Sequence, residues 1–389
     1  MTSIELGMFF VLVPATLIYV CAAFLFRIGL ARLRTAPANQ DFPFVSVVIA
    51  ARDEEQHIGP CLDSLSTQTY PDDRFEVIVV DDDSNDGTFR EASRRSVATV
   101  ITPDIRFDDH VAKKRPMATG IDRARGDIIL TTDADCTVPP GWMEAMVQTL
   151  TIQTDVVLGF SQIRSASSPG SLWDRLQGLD FLALLAAAAG SAGLGRSLAA
   201  TGQNFGFRKS IFERVGGYED IKHRASGDDV LLLQLLRKKG KARSAFCTIP
   251  ESFVSTWRSE TPVGYLRQRR RWASNASAQL RLNPAFFLYI LAVFATNLTI
   301  PLALILGGTL GLFGMAACIV RVIADAVVLF RGASLFGRRD LLLAFPLWVL
   351  MQPVYIILVG MTGTLFGFTW KNRRHTHQSS STDLNHATV

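Results

Sequence analysis

Two carboxylates separated by one small residue, Asp133 and Asp135, stand at the end of an apolar run in residues 126–136, Gly-Asp-Ile-Ile-Leu-Thr-Thr-Asp-Ala-Asp-Cys. Side chains two apart on a strand point the same way, so a strand running into this pair would set both acids on one rim of a sheet. Paired carboxylate oxygens there suit a hard divalent cation that also holds a diphosphate. An isolated Asp-Ala-Asp triplet also arises by chance in loops, so its weight comes from the motifs on either side.

Residues 79–88, Val-Val-Asp-Asp-Asp-Ser-Asn-Asp-Gly-Thr, close another apolar run. Asp82 or Asp83 can accept hydrogen bonds from a base N–H or a ribose hydroxyl; an acidic surface turn is the plain alternative. Lys113, Lys114 and Arg115 open a helix, where a cation can reach a phosphate or simply face solvent. In residues 201–209, Gly202 and Gly206 flank Asn204, which permits close backbone approach to a bound sugar or a simple turn into a helix. Residues 226–230, Ser-Gly-Asp-Asp-Val, open an apolar helix. A helix cap there needs one acid, and here there are two, Asp228 and Asp229. The functional reading makes Asp229 a general base that takes a proton from an attacking hydroxyl. Residues 268–272 read Gln-Arg-Arg-Arg-Trp. Positive-inside bias accounts for the arginines but not for Gln268 or Trp272, whose ring beside Arg271 can shape an acceptor site and hold a diphosphate.

The elements that must position these groups follow from hydrophobic pattern. Residues 44–51, 75–80 and 99–101 read as strands, and 54–68, 90–97 and 115–124 as helices, before the strand ending at Asp133. Strands alternating with helices argue for a parallel α/β sheet, whose ligands bind outside the carboxyl ends of the strands. Further helices are expected over 142–152, 230–237 and 265–282. Hydrophobic residues make up 48% of the 389 and charged residues only 19%, an excess gathered into residues 8–30, 286–330 and 341–370. A crossing needs about 20 residues, so the middle stretch is long enough for two. The first stretch reads as an uncleaved anchor rather than a signal peptide, because its arginines 27, 32 and 34 follow the apolar run. They place residue 35 onward in the cytoplasm. Residues 179–198 read as a helix packed at the membrane surface. The net charge of +5 fits anionic headgroups; no nucleic-acid-binding pattern is present, and five cysteines without a CxxC pair argue against structural disulfides.

In this order and spacing the motifs resemble those of family 2 glycosyltransferases of GT-A fold, in the membrane-bound branch that includes hyaluronan, cellulose and poly-N-acetylglucosamine synthases and ceramide glucosyltransferases. The similarity covers roughly residues 44–275. It implies a Rossmann-like, mostly parallel α/β catalytic domain with α-helical transmembrane segments. It implies a nucleotide-sugar pocket from Ala51, Asp53 or Glu55, Asp82 with Asp83, and Lys113, and Asp135 as the main ligand of Mg²⁺ or Mn²⁺. Asp133 would meet metal, sugar and ribose; Asp229 would be the base. Gln268, Arg271 and Trp272 would serve acceptor and diphosphate. Asp53 and Asp83 depart from the family's usual Asn and Gly.

The resulting expectation is an anchor at 1–34, a cytoplasmic catalytic domain at 35–283, membrane helices at 284–370 and a disordered polar tail at 371–389. The chain would sit in the cell inner membrane and move a sugar, with inversion, from a UDP-linked donor to a lipid, lipid-linked or growing glycan acceptor. Processive polysaccharide synthesis, a non-catalytic sugar-nucleotide-binding regulator and, from Arg321 and Asp325 in an apolar stretch, a transporter are the alternatives. Crossing by all the apolar stretches would leave Lys371 to Arg374 outside, against the positive-inside tendency.

Overall fold

The computed structural model describes residues 2–34, 42–151, 153–164, 170–365, 368–370 and 373–375. The tail expected at 371–389 falls mostly outside these. α1 (Ser3–Arg32) opens on a capping box, with Thr2 Oγ1 accepting from Glu5 N at 3.3 Å and Thr2 N donating to Glu5 Oε2 at 2.6 Å. Its length of roughly 45 Å exceeds a hydrocarbon core.

β1 (Val45–Ala51), α2 (Ile58–Leu65), β2 (Phe75–Asp81), α3 (Thr88–Ser93), β3 (Ala98–Ile101), α4 (Lys114–Arg123) and β4 (Ile128–Thr131) alternate as their pattern predicts. β1 pairs in parallel with both β2 and β4. The β-branched run of β1 is buried on both faces, as a central parallel strand between helix layers must be. β5 (Cys136–Thr137), α5 (Trp142–Thr149), β6 (Val156–Leu158), β7 (Ser161–Arg164), α6 (Leu172–Gly193), β8 (Phe205–Arg208), α7 (Lys209–Arg214), α8 (Val230–Lys238), β9 (Ser244–Phe246) and β10 (Val254–Trp257) follow. The main sheet has the order β3-β2-β1-β4-β8-β6-β9. β8 runs antiparallel to both neighbours, so the sheet is mostly rather than wholly parallel. β5, β10 and β7 form a small second sheet.

The single helix expected over 265–282 is two, α9 (Pro262–Ala273) and α10 (Ala276–Leu282). Tertiary bonds hold the break: Arg224 Nη2 donates to Ser274 O at 2.9 Å, and Asn275 Nδ2 to Ser226 Oγ at 3.1 Å. α11 (Pro284–Leu306) and α12 (Gly308–Leu335) make a hairpin from the long apolar stretch. Its turn has φ of +70° at Gly307 and +58° at Gly308, a left-handed region that glycine enters without strain. A 3-10 turn at Arg339–Ala344 leads into α13 (Phe345–Leu365). β11 (Phe368–Trp370) and β12 (Arg373–His375) then pair, so part of the segment expected to be disordered is a short hairpin. Arg321 and Asp325 pair with each other on α12 at 3.5 Å, and Tyr19 of α1 also donates to Asp325.

Among the described residues, five helices, α1, α6, α11, α12 and the Arg339–Thr364 segment containing α13, are long and apolar enough to cross a membrane. α6 differs from the rest because most of it is buried within the protein. Glycines let it touch α1 backbone to backbone: a Cβ on Gly29 would lie 1.7 Å from Gly190 O, and one on Gly190 would lie 2.5 Å from Phe26 O. Farther along α6, Ala186 meets Gly332 of α12 and Gly178 meets Leu341. α6 therefore runs under the domain-side ends of α1 and α12 and joins them to the sheet. Gly190→Leu should force this crossing apart and lower stability by about 1–3 kcal/mol or more, the usual range for overpacking. Thermal unfolding of the detergent-purified chain checks this; an unchanged Tm would show that the two helices are not locked here.

Candidate active site

The carboxyl ends of β1 and β2 are braced against each other. Asp82 N donates to Ala51 O at 2.8 Å. Arg52 Nη1 donates to Asp82 O at 2.5 Å, and Arg115 Nε donates to Asp82 Oδ1 at 3.1 Å, so the buried Asp82 carboxylate lies between two guanidiniums. Ala51, Arg52 and Asp82 line the large cavity. Asp53, Glu55 and Asp83 are not among its lining residues. Asp53 Oδ1 accepts from Asn85 N at 2.8 Å, and Glu55 accepts from Gly87 N at 3.0 Å and pairs with Arg90. Asp83, at φ +54°, turns outward to Arg115. These three acids hydrogen-bond or ion-pair within and between the loops and do not line the cavity, unlike Ala51 and Asp82, with which they were expected to form the nucleotide-sugar pocket. The same bracing delays α2 until Ile58, since Glu54 N donates to Thr88 Oγ1 at 2.7 Å across the loops.

β4 ends at Thr131, so Asp133 and Asp135 lie in the turn beyond it rather than on the strand. A tight turn, with Cys136 N donating to Asp133 O at 3.0 Å, takes the place of strand pleating in aiming them. Donor atoms of Asp133, Asp135 and Cys136 lie within 4.8 Å of one another. Burial, then the charges of Asp133 and Glu54, push the Asp135 carboxyl up to about 6. Burial and the adjacent acids also hold the Cys136 thiol well above its ordinary value, and it donates to Asp135 Oδ1 at 3.5 Å. Carboxylate oxygens crowded together, with Asp135 pushed up by its acidic neighbours, are a donor set that a hard divalent cation fits. His57, paired with Glu54 at 2.9 Å, also lines this end of the cavity.

Lys113 connects the second group of acids. Its ammonium pairs with Asp133 and lies 3.2 Å from Asp228 Oδ2. Burial alone would lower its pKa, but Asp133 and Asp228 outweigh that and hold it well above the usual value. Asp228 is the reciprocal case: burial would raise it, and Lys113, Lys114 and Arg271 hold it below the ordinary carboxylate range. Asp229, the N-cap of α8, accepts from Val230 N at 2.5 Å and from Gly202 N at 2.9 Å. Burial and the neighbouring Asp228 charge nevertheless push it up to about 6. A Cβ at position 202 would lie 3.1 Å from Lys113 Nζ and 3.7 Å from Asp229 Oδ2. The close approach that Gly202 permits is thus first to these charged groups. Lys114 points away, donating to Arg224 O and Ser226 O at 2.6 and 3.0 Å.

Asn204, expected near a sugar, is fully buried elsewhere. Its amide donates to Phe160 O and Ser252 O and accepts from Trp142 Nε1, which uses the group up as a structural tie. Gln203 lines the cavity instead. Gln268, Arg271 and Trp272 all line it from α9. Between them stands Arg269, only 3% exposed, hidden in sequence within a run of arginines. It pairs with Asp180 of α6 at 2.8 Å and lies 4.2 Å from the Trp272 ring centroid. Tyr265 Oη also donates to Asp180 at 2.7 Å. An acid in the otherwise apolar second half of α6, residues 179–193, was the available signal for this pair.

The cavity that gathers these residues has a volume of 1410 Å³. The acids 82, 133, 135, 228 and 229 line it together with apolar side chains of α1, α6, α11, α12 and α13.

Residues 46–216 match the profile described as glycosyl transferase family 2. The chain is 36% identical over 108 residues to the glycosyltransferase AglE of Haloferax volcanii, covering 28% of this chain and 36% of that one. It is 29% identical over 257 residues to the probable glycosyltransferase YdaM of Bacillus subtilis, covering 64% and 59%. It is 28% identical over 248 residues to an N-acetylglucosaminyltransferase of Rhizobium meliloti, covering 60% and 56%. The chain thus spans between about a third and three-fifths of the length of these relatives. Among solved structures, the mannosyltransferase PcManGT from Pyrobaculum calidifontis, in complex with GDP-Man and Mn²⁺, superposes with a TM-score of 0.60 at 20% identity, covering 92% of this chain and 98% of that one. From its matched residues, its sheet and this shared fold, residues 46–216 of the chain carry a glycosyl transferase family 2 domain, an enzyme domain, in GT-A form.

Proposed function

We propose that the protein transfers a sugar from a nucleotide-sugar donor to a lipid or lipid-linked acceptor, with inversion, at the cytoplasmic face of the cell inner membrane. One observation carries this reading: a single cavity joins the acids to apolar helix faces long enough to lie in a bilayer. A soluble acceptor would have no use for its α6, α11 and α13 walls. Arg27, Arg32 and Arg34, after the apolar part of α1, support the cytoplasmic side for the domain.

In this reading the donor's base and ribose lie at Ala51 and Asp82, and its diphosphate near Lys113, Arg271 and the acids 133 and 135. Mg²⁺ or Mn²⁺ held by Asp133 and Asp135 would offset the negative charge growing on the leaving diphosphate. Asp229 takes the proton of the acceptor hydroxyl as that oxygen bonds to the anomeric carbon. The bond from that carbon to the diphosphate breaks in the same displacement, so the configuration inverts. A carboxyl near 6 is mostly ionised at neutral pH yet more basic than an ordinary aspartate, which suits a general base. Asp228, kept ionised by Lys113, prevents Asp229 from sharing that cation fully. Trp272 and Gln268 face the acceptor, and the Arg269–Asp180 pair fixes the ring of Trp272. The sugar is proposed as a hexose carried on UDP; the rhizobial N-acetylglucosaminyltransferases make UDP-N-acetylglucosamine the first donor to test.

The direct experiment is a donor screen scored by nucleotide release, with membrane lipid extract as acceptor. Absence of release with every UDP- and GDP-sugar would sink the proposal. Asp229→Asn should leave donor affinity within about twofold and reduce transfer by about 10²–10⁴-fold, the usual share of a general base. Donor titration of the variant beside its turnover distinguishes this from misfolding. Because the Asp229 carboxyl is raised, its basic form is lost as pH falls through about 6. Turnover should therefore plateau above that value and decline about tenfold per unit below it. Asp135→Ala should abolish the metal dependence of donor binding, read by calorimetry with and without Mn²⁺.

A further inference from the structure

The Arg339–Thr364 segment is as apolar as a membrane span, yet its neighbours argue that it does not cross. α1, α11 and α12 each run from the catalytic domain to a common far end. At that end Phe9 meets Phe313 at 4.8 Å, and Leu12 clusters with Ile300, Ala303 and Leu310 beside the Gly307 turn. At the near end Gly29 touches α6, and Phe336, just past α12, stacks on Phe160 of the domain at 4.1 Å.

α13 has no end of this kind. It starts beside the domain, where Arg338 Nη1 donates to Gln162 Oε1 at 3.1 Å and Leu341 packs against Gly178 of α6. Its middle stays there: Tyr355 stacks on Tyr265 of α9 at 5.8 Å. Its far end is there too, since a Cβ on Gly363 would lie 2.8 Å from both Arg270 O and the Ala273 Cβ of α9. α9 is itself bolted to the loop that carries Asp228 and Asp229, through Asn275 and Ser226. β11, after α13, again lies beside α9. Phe345 and Gly363 are roughly 27 Å apart along the helix, almost the depth of a hydrocarbon core. A crossing helix cannot keep both ends against one side of the membrane.

The faces of α13 fit a helix lying in the membrane plane. Leu347, Leu350, Met351, Val354 and Leu358 are exposed and recur at helical spacing along one face, and Met361, exposed on the same face, also lines the cavity where α13 ends. Trp348, Gln352, Tyr355, Ile356 and Val359 recur along the opposite face and line the cavity.

We propose that α13 lies within the leaflet next to the catalytic domain, with its exposed face on acyl chains and its inner face forming one wall of the acceptor cavity. The described helices then cross the membrane three times, through α1, α11 and α12, which puts the start of α1 and β12 on opposite sides. Arg373 and Arg374 of β12 return to the side of the catalytic domain, which removes their conflict with the positive-inside tendency. An acceptor lipid reaches the cavity sideways, from that leaflet alone. The proposal rests on the membrane reading above, but not on which side the domain faces.

The test uses the full chain in its native membrane with Ser3→Cys or Val389→Cys and a membrane-impermeant maleimide, with the unsubstituted chain as control. Labelling of one position in intact cells and of the other only after lysis is expected. Labelling of both under the same condition would mean an even number of crossings and would overturn the proposal. Which position reacts first tests the cytoplasmic assignment separately: Val389→Cys labelled in intact cells, with Ser3→Cys protected, would reverse the orientation and leave α13 in plane. A second measurement attaches a fluorophore at Leu347→Cys, Val354→Cys and Met361→Cys and quenches it with brominated lipids of graded depth. Closely similar depths are expected; a progression approaching the roughly 21 Å that a crossing helix would put between the outer two sites would refute an in-plane α13.

Discussion

The double ion pair of the part-buried Lys113 ammonium is the interaction on which the site depends. Asp133 belongs to the turn after β4 and Asp228 to the loop before α8, and one lysine from the start of α4 meets both. Without a cation between them, these carboxylates would repel at short range in a poorly solvated space. The arrangement also sorts the acids. Asp228 keeps its charge beside Lys113, while Asp229 and Asp135, farther from relief, are pushed toward neutrality. Lys113, with Lys114 and Arg271 also acting on Asp228, thus makes three similar side chains chemically unequal, as the proposed acid–base and metal-binding roles require.

Much of this was legible from the chain because the relevant forces are local. The apolar runs of β1 and β2 ending in acids announce a parallel sheet with its ligand edge, and Asp82 is where that pattern puts it. The Ser-Gly-Asp-Asp start of α8 likewise carries its own geometry, since a helix N-terminus orients whatever caps it. The failures occur where distant segments decide. Asn204 looks like a sugar ligand beside two glycines, but carbonyls from residues 160 and 252 take its amide. Asp53, Glu55 and Asp83 look as available as Asp82 until the two loops fold onto each other. Arg269 is indistinguishable from its neighbours in a basic run until Asp180, nearly ninety positions away, picks it out. The antiparallel β8 was invisible for the same reason, because strand direction belongs to the sheet and not to the segment.

The membrane half shows how composition can mislead about placement. Length and hydropathy treat α6 and α13 as equals of α1, α11 and α12. α6 instead spends its apolar surface on the inside of the protein, and α13 contacts the domain along its length. An apolar helix needs somewhere to bury its surface, and both the interior of a protein and the plane of a bilayer can supply it.

The glycine contact between α1 and α6 has a practical corollary. α6 supplies both the floor under the helical hairpin and, through Asp180, the support for α9. Severing the chain after residue 34 would strip the cover from Gly190 and its alanine-rich neighbours and leave sticky surface facing water. The sugar-handling half should therefore resist isolation as a soluble fragment, and detergent or nanodisc preparation of the intact polypeptide is the route to its enzymology.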